Sequence, residues 1–296
     1  MATTAAINAS IGQAPPRTRK FPFIVVALLL PMVIINLIAF VIPVIRLGMI
    51  SFLESRGGVL TNTLTLENYA NFIRDSYSFQ LIYNSLVLGF GVTIITLILS
   101  YPIALFLHRV SSKWRNLLFV ITVSPLLVSS VVRTYGWMVI LGDQGLVNGI
   151  LMSSWIISTP IRLTNNMLGV FIGMVEVLIP YMTLSLIAGF GRLDVVFEEA
   201  AASLGANSWV RFRRVILPLT MPGIALGCLL CFVLSISSFI TPKLLGGGRV
   251  FLLATEIYDQ AIVQLAWPTA AAISVVVLII FGLALAIYSR VIRRFD

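Results

Sequence analysis

The chain has 296 residues, 59% of them hydrophobic and only 10% charged, with a mean hydropathy of +1.03. Water-soluble domains carry about a quarter charged residues, so this composition excludes a soluble globular fold and points to a polytopic membrane protein. The formal charge of +9 would suggest a nucleic-acid partner in a soluble chain; in a membrane protein it reflects Lys and Arg gathering in cytoplasmic loops, and no nucleic acid is expected.

Residues 1–20 are a polar tail ending in PPRTRK. The apolar run that follows is too long for the core of a signal peptide and lacks a small-residue cleavage site, so it reads as a retained span. About 20 apolar residues cross the roughly 30 Å hydrocarbon layer of a bilayer. Six runs meet that length, near Phe21–Ile45, Leu81–Leu107, Leu117–Leu141, Leu168–Phe190, Leu219–Ile240 and Trp267–Tyr288. They divide the chain into a cytoplasmic tail (1–20), a first transmembrane helix (21–45), a periplasmic segment (46–80), a five-helix core (81–290) and a second cytoplasmic tail (291–296). The expected fold is all-α, with six transmembrane helices.

Orientation follows from basic residues in alternate segments. The N-terminal tail, the segments after the second and fourth spans, and the C-terminus hold 13 of the 20 Lys and Arg residues, among them Arg109, Lys113, Arg211, Arg213 and Arg214. The other connections hold 6, and Arg133 lies within a span. Both termini are therefore placed in the cytoplasm. On the opposite side, TLTLENYANFIRDS predicts a short surface helix capped by Thr63 or Thr65. TPKLLGGGRV predicts a loop, and ATEIYDQAIVQLAWPTAAA a short helix ahead of the last span. Pro102, Pro125 and Pro180 are expected to kink their spans. Cys228 and Cys231 form a C-x-x-C inside an apolar run with no histidine or third thiol nearby, so neither a metal nor a redox role is assigned.

The longest polar stretch inside the core is EEAAASLGANSWVRFRRVILPLTMPG, from Glu198 to Gly223, on the cytoplasmic side of this scheme. Glu198–Leu204 is helix-forming with acids in its first turn, which complement the helix dipole. Gly205 can terminate it in the left-handed conformation. Asn207 or Ser208 can cap a second helix, and Pro218 and Pro222 mark the return into the membrane. The alanines allow this first helix to approach another surface closely.

The pattern E-A-A-x-x-x-G, nine residues, then I-x-L-P resembles the EAA loop of permease subunits from binding-protein-dependent ABC importers of the type I, MetI-like class. Here it is carried by Glu199, Ala200, Ala201 and Gly205, then Val215, Leu217 and Pro218; Val215 in place of isoleucine is the one departure. VVRTYGWMVILGDQGLVNGIL, LTMPGIALGCLL, FITPKLLGG and WPTAAAISVVVL extend the resemblance to the spermidine/putrescine branch, first-permease type. The resemblance implies a cytoplasmic coupling helix between spans 4 and 5 that docks on an ATPase. It further implies a second homologous permease in a heterodimer, two ATPase subunits, a periplasmic binding protein and a bacterial inner (cytoplasmic) membrane location. The chain has no G-x-x-x-x-G-K-[ST] phosphate loop, so no cofactor is expected on it, and ATP and magnesium belong to the partner ATPase. The solute implied is a polyamine. Another small solute (an amino acid derivative, an opine or a phosphonate) and an ATP-independent secondary transporter are the alternatives. An intramembrane enzyme is disfavoured because the spans lack G-x-S-x-G, H-E-x-x-H and paired acids.

Two ionisable residues fall within spans, Arg133 and Glu176, each eight residues from the outer end of its helix and so about 12 Å deep. Gly169, Gly173 and Glu176 share one helical face, as do Ser129, Arg133 and Gly136. Two readings stay open: a structural ion pair, or a solute pathway in which Glu176 attracts ammonium groups with Tyr135, Trp137 and Tyr181 supplying cation–π contacts.

Overall fold

A computed structural model describes residues 23–56, 59–110 and 113–293. The predicted tail 1–20, with Arg17, Arg19 and Lys20, lies outside the described residues, as does the end of the second tail from residue 294. The chain divides into two units, Met1–Leu47 and Gly48–Asp296. The first is the long apolar helix α1, Phe23–Ser51, which carries Pro31 and Pro43 in its interior and runs on into the second unit.

The second unit is mostly helical. It opens with a feature the sequence reading does not anticipate, an antiparallel hairpin of β1 (Leu53–Arg56) and β2 (Val59–Leu64) with an irregularity between Leu53 and Ser55. The Thr-rich segment alternates side chains on a short two-stranded ladder, a periodicity too brief to separate from loop. The expected surface helix follows as α2, Glu67–Arg74. Thr65 Oγ1 accepts from the Glu67 amide at 3.0 Å, although the capping position itself is Leu66.

Four helices are long and apolar enough to be spans of this unit: α3 (Ser76–Arg109), α7 (Met167–Gly189), α10 (Leu217–Ser237, wound continuously from Ser208) and α13 (Trp267–Ile292). The expected third span, Leu117–Leu141, is broken at Pro125, one of the prolines expected to kink its span. Its first half is α4 (Lys113–Val123), followed by a tight turn at Ser124–Leu127 and then α5 (Ser130–Leu141). The two arms meet at 103°. Pro125 cannot donate an intrahelical hydrogen bond, and Ser124, Ser129 and Ser130 favour local turns over helix continuation. Pro102 and Pro180, by contrast, lie inside helices assigned as continuous.

Between α5 and α7 lies α6, Leu146–Ser153. The expected loop TPKLLGGGRV begins instead as a helix, α11 (Ile240–Leu245), and only then turns through Gly247 and Gly248 at positive φ. The short helix ahead of the last span is present as α12, Leu253–Tyr258, with a wider-wound turn over Asp259–Val263.

Helices α3, α7 and α10 pack together and hold the main core: Leu88, Val92 and Ala104 meet Val170, Met174, Leu178, Met182 and Leu186, with Ile224 and Cys231 closing the third side. In lipid no hydrophobic drive joins helices, so close backbone approach must supply the packing. Gly189 and Gly223 face one another across α7 and α10 so tightly that a methyl on either would collide with the other's backbone. Gly227, one turn on, packs against Met182 and Ser185 of α7 in the same way. Some buried hydroxyls bond on their own helices, as Thr93 does on the Gly89 carbonyl at 2.7 Å, whereas those of Thr96, Thr183 and Ser235 have no partner among the described residues. A second cluster, Leu81, Phe232, Ile236, Leu253 and Ile273, joins the start of α3 to α10, α12 and α13.

Candidate functional site

The polar stretch between α7 and α10 folds around α8, Val195–Ser203. Asp194 caps it by accepting from the Val196 amide at 3.1 Å. The helix stops where Gly205 takes φ +81°. The Gly205 amide donates to the Ala202 carbonyl at 2.9 Å and the Ala206 amide to the Ala201 carbonyl at 3.0 Å, the paired bonds of a Schellman motif. Gly205 is required here because a side chain at that φ clashes with its own backbone. Asn207, not Ser208, caps the next turn, accepting from the Val210 amide at 2.8 Å. That turn, α9 (Ser208–Arg211), is not the free-standing helix expected; it winds through a wider turn at Phe212–Ile216 directly into α10, with Pro218 in the first helical turn and Pro222 inside.

Glu199 and Ala200 are exposed on α8 and Ala201 is half-buried. Around them stand large apolar side chains in the open: Phe197 is 51% exposed, Leu204 89% and Trp209 67%. These three side chains leave apolar surface uncovered on an otherwise polar segment. Leu217 is half-buried and Pro218 exposed at the other end of the segment.

The base of α8 is tied to the far end of α3 through residues that sequence reasoning missed. Arg109 Nη2 donates to both carboxylate oxygens of Glu198, at 2.8 and 2.7 Å. His108 Nε2 lies 3.2 Å from the Leu193 carbonyl oxygen. Beneath them Phe190 is fully buried, with Tyr101 and His108 edge-on to its ring at 5.6 and 5.7 Å. Tyr101 also meets Phe212 edge-on and its hydroxyl is 3.1 Å from that of Thr220. The available signal was a basic residue in the last turn of one helix and an acid in the first turn of another; their separation of 89 positions hid the pairing.

In the interior, Arg133 Nε lies 3.4 Å from Glu176 Oε2, with side chains 13% and 25% exposed. The juxtaposition matches the expectation, but the scaffold differs. Arg133 stands in the first turn of α5, just past the break, and its Nη1 donates to the Pro125 carbonyl at 2.8 Å. The guanidinium thus bonds an oxygen at the break, which also accepts from the Val128 amide at 3.2 Å, while facing the acid. Trp137 Nε1 donates to the same Glu176 oxygen at 3.3 Å. Tyr135 and Tyr181 are exposed and make no ring contact or hydrogen bond with the pair among the described residues. Gly173 packs against Leu245 and Thr241 of α11, whereas a methyl at Gly136 would meet nothing.

A family model described as "Binding-protein-dependent transport system inner membrane component" matches residues 93–295, which include both of these regions. The chain belongs to this family. As a transport component of that kind it resembles "Spermidine/putrescine transport system permease protein PotB" of Haemophilus influenzae, with 37% identity over 272 residues, 92% of this chain and 94% of the relative. The Escherichia coli K12 protein of the same name is 36% identical over 77% of this chain and 83% of its own length. The E. coli K12 "Spermidine/putrescine transport system permease protein PotC" is 27% identical over 86% and 89%. Among solved structures, a bacterial alginate ABC transporter in complex with its alginate pentasaccharide-bound periplasmic protein superposes with a TM-score of 0.76. That match has 19% identity and covers 92% of this permease-family chain and 94% of the other. Inward-facing MetNI methionine transporter gives 0.54 at 14% identity, over 79% and 100%. These structural matches establish the shared fold.

Proposed function

We propose that the chain is a permease subunit of an ATP-driven ABC importer and forms half of the translocation pathway for a polyamine of the spermidine/putrescine type. The observation that carries this reading is the 37% identity to a spermidine/putrescine permease along nearly the full length of both chains. In this reading the membrane is the bacterial inner membrane, both termini and α8 face the cytoplasm, and a periplasmic binding protein delivers the solute. A second homologous permease completes the pathway. Two separate ATPase subunits hold ATP and magnesium and supply the hydrolysis, since this chain has no phosphate loop.

The geometry around α8 supports coupling. Glu199, Ala200 and Ala201 offer a shallow face, the Gly205 stop fixes its length, and Leu217 and Pro218 set the path back into the bilayer. Displacing α8 would pull on α3 through the Arg109–Glu198 and His108–Leu193 contacts and on α7 and α10 through the covalent chain. All three core helices would then move with one surface element. Within the pathway, Glu176 is assigned to draw the cationic solute, with Arg133 and Trp137 holding its carboxylate and Tyr135 and Tyr181 exposed alongside.

Two measurements test the proposal. A thermal-shift screen of the companion binding protein against polyamines, amino acids and phosphonates is expected to respond to polyamines; a response only to another class would overturn the solute assignment. Uptake by the assembled transporter carrying Glu176→Gln is expected to fall more than stability does. Unchanged uptake with a lower melting temperature would make the Arg133–Glu176 pair purely structural.

A further inference from the structure

Within the second unit, α3, α10 and α13 leave an open groove of about 530 Å³ between them. We propose that this groove holds one acyl chain of an anionic phospholipid from the leaflet on the α8 side, with the headgroup on the arginines where α10 begins and α13 ends. Its walls are almost wholly apolar. Thr93 spends its hydroxyl on the Gly89 carbonyl at 2.7 Å, and Cys228 acts as a small hydrophobe, so the interior suits hydrocarbon. Phe90 and Phe232, with ring centroids 4.8 Å apart, stand at the end away from α8. Tyr288 and Val291 line the other end. A tyrosine there combines an apolar body with a polar tip, the residue type that settles at headgroup level.

Length decides what fits. The lining runs from Met221 to Phe232 on α10 and from Ile280 to Val291 on α13, a rise of about 16 Å on each helix. One leaflet of hydrocarbon is about 15 Å deep, half of the full core. A transmembrane helix of a second permease would need a groove along the whole ~30 Å, and this one ends about halfway. Charge decides which lipid. Arg213 and Arg214 are exposed just before α10, and Arg290 and Arg293 are exposed at the end of α13. Arg214 precedes Met221 by about two turns, and Arg290 adjoins Val291. No Asp or Glu occurs over residues 200–255 or 260–295, so neither helix balances these charges, and the nearby Glu198 of α8 already accepts from Arg109. Basic pockets between membrane helices at headgroup level hold anionic lipids.

The test uses the complete transporter in phosphatidylcholine nanodiscs that contain a small, equal share of either phosphatidylglycerol or phosphatidylcholine with a photoreactive group near the acyl tail. Labelled peptides are mapped by mass spectrometry. The phosphatidylglycerol probe is expected to label α10 and α13 along the groove about fivefold more than the phosphatidylcholine probe. Arg214→Gln with Arg290→Gln is expected to remove most of that preference. Arg214→Lys with Arg290→Lys is expected to keep it, which separates lost charge from lost folding. Ala284→Trp fills the groove and leaves the arginines, and is expected to lower labelling by both probes. Equal labelling by the two probes, or a preference undiminished in the glutamine pair, would overturn the anionic-lipid assignment. Groove peptides labelled by neither probe would mean that a protein surface covers the groove, and would overturn the site itself.

Discussion

Gly205 and Arg133 carry the two local arguments at the residue scale. At φ +81° a β-carbon costs about 1–2 kcal/mol, so Gly205→Ala is expected to loosen the end of α8 and lower uptake, with Gly205→Asn recovering much of the loss because asparagine tolerates this region. Equal uptake in Ala and Asn variants would show that the helix stop is unimportant. Arg133 serves an acid and the Pro125 carbonyl at once. Arg133→Met removes the opposite charge beside part-buried Glu176 as well as a bond to the Pro125 carbonyl, and is expected to destabilise the transporter more than Trp137→Phe, which removes a single bond worth about 1 kcal/mol; melting temperatures of the two variants check the order. The spacing of Arg133 and Glu176 along their spans placed them at one depth, and the 3.4 Å approach agrees. The Pro125 carbonyl as a third partner was not legible, because it depends on the break in the third span.

Elements differ in how they are held. Helices α7 and α10 meet through glycine backbones, so Gly223→Leu is expected to abolish accumulation of folded protein. Gly282→Ala, at a site where a methyl meets nothing, is expected to be neutral; protein recovered from membranes measures both. The tie between α3 and α8 is weaker. Arg109 is 43% exposed, so the Glu198 pair contributes at most about 1 kcal/mol and less at high salt. Arg109→Gln should leave folding intact while speeding amide hydrogen exchange over residues 195–203. Long apolar runs and the Gly205 stop were readable because they are local. A kink at Pro125 was expected, but a full break was not, since Pro102 and Pro180 also lie inside apolar runs and their helices continue through them. The hairpin and α11 were missed because their four to six residues carry too little period to register.

At the scale of the molecule, a mostly helical core ends on one side in a small apolar patch around α8 and on the other in an acid-lined cleft. Enlarging the patch tests its use. Ala200→Phe, at an exposed position, is expected to leave the permease folded and membrane-inserted while co-purification of the ATPase falls at least severalfold; undiminished co-purification would place the contact elsewhere. Hydropathy and the EAA pattern alone determined that the chain sits in a bilayer and which family it resembles, because both are written in contiguous residues and the lipid environment leaves helices few alternatives. Only the tertiary structure decided where the third span breaks, that Arg109 and His108 anchor the base of α8, and that Asp75 lines one hollow with Glu256 and Asp259. Each of these depends on residues brought together from distant parts of the chain, and proximity of that kind is fixed by packing rather than by order in sequence.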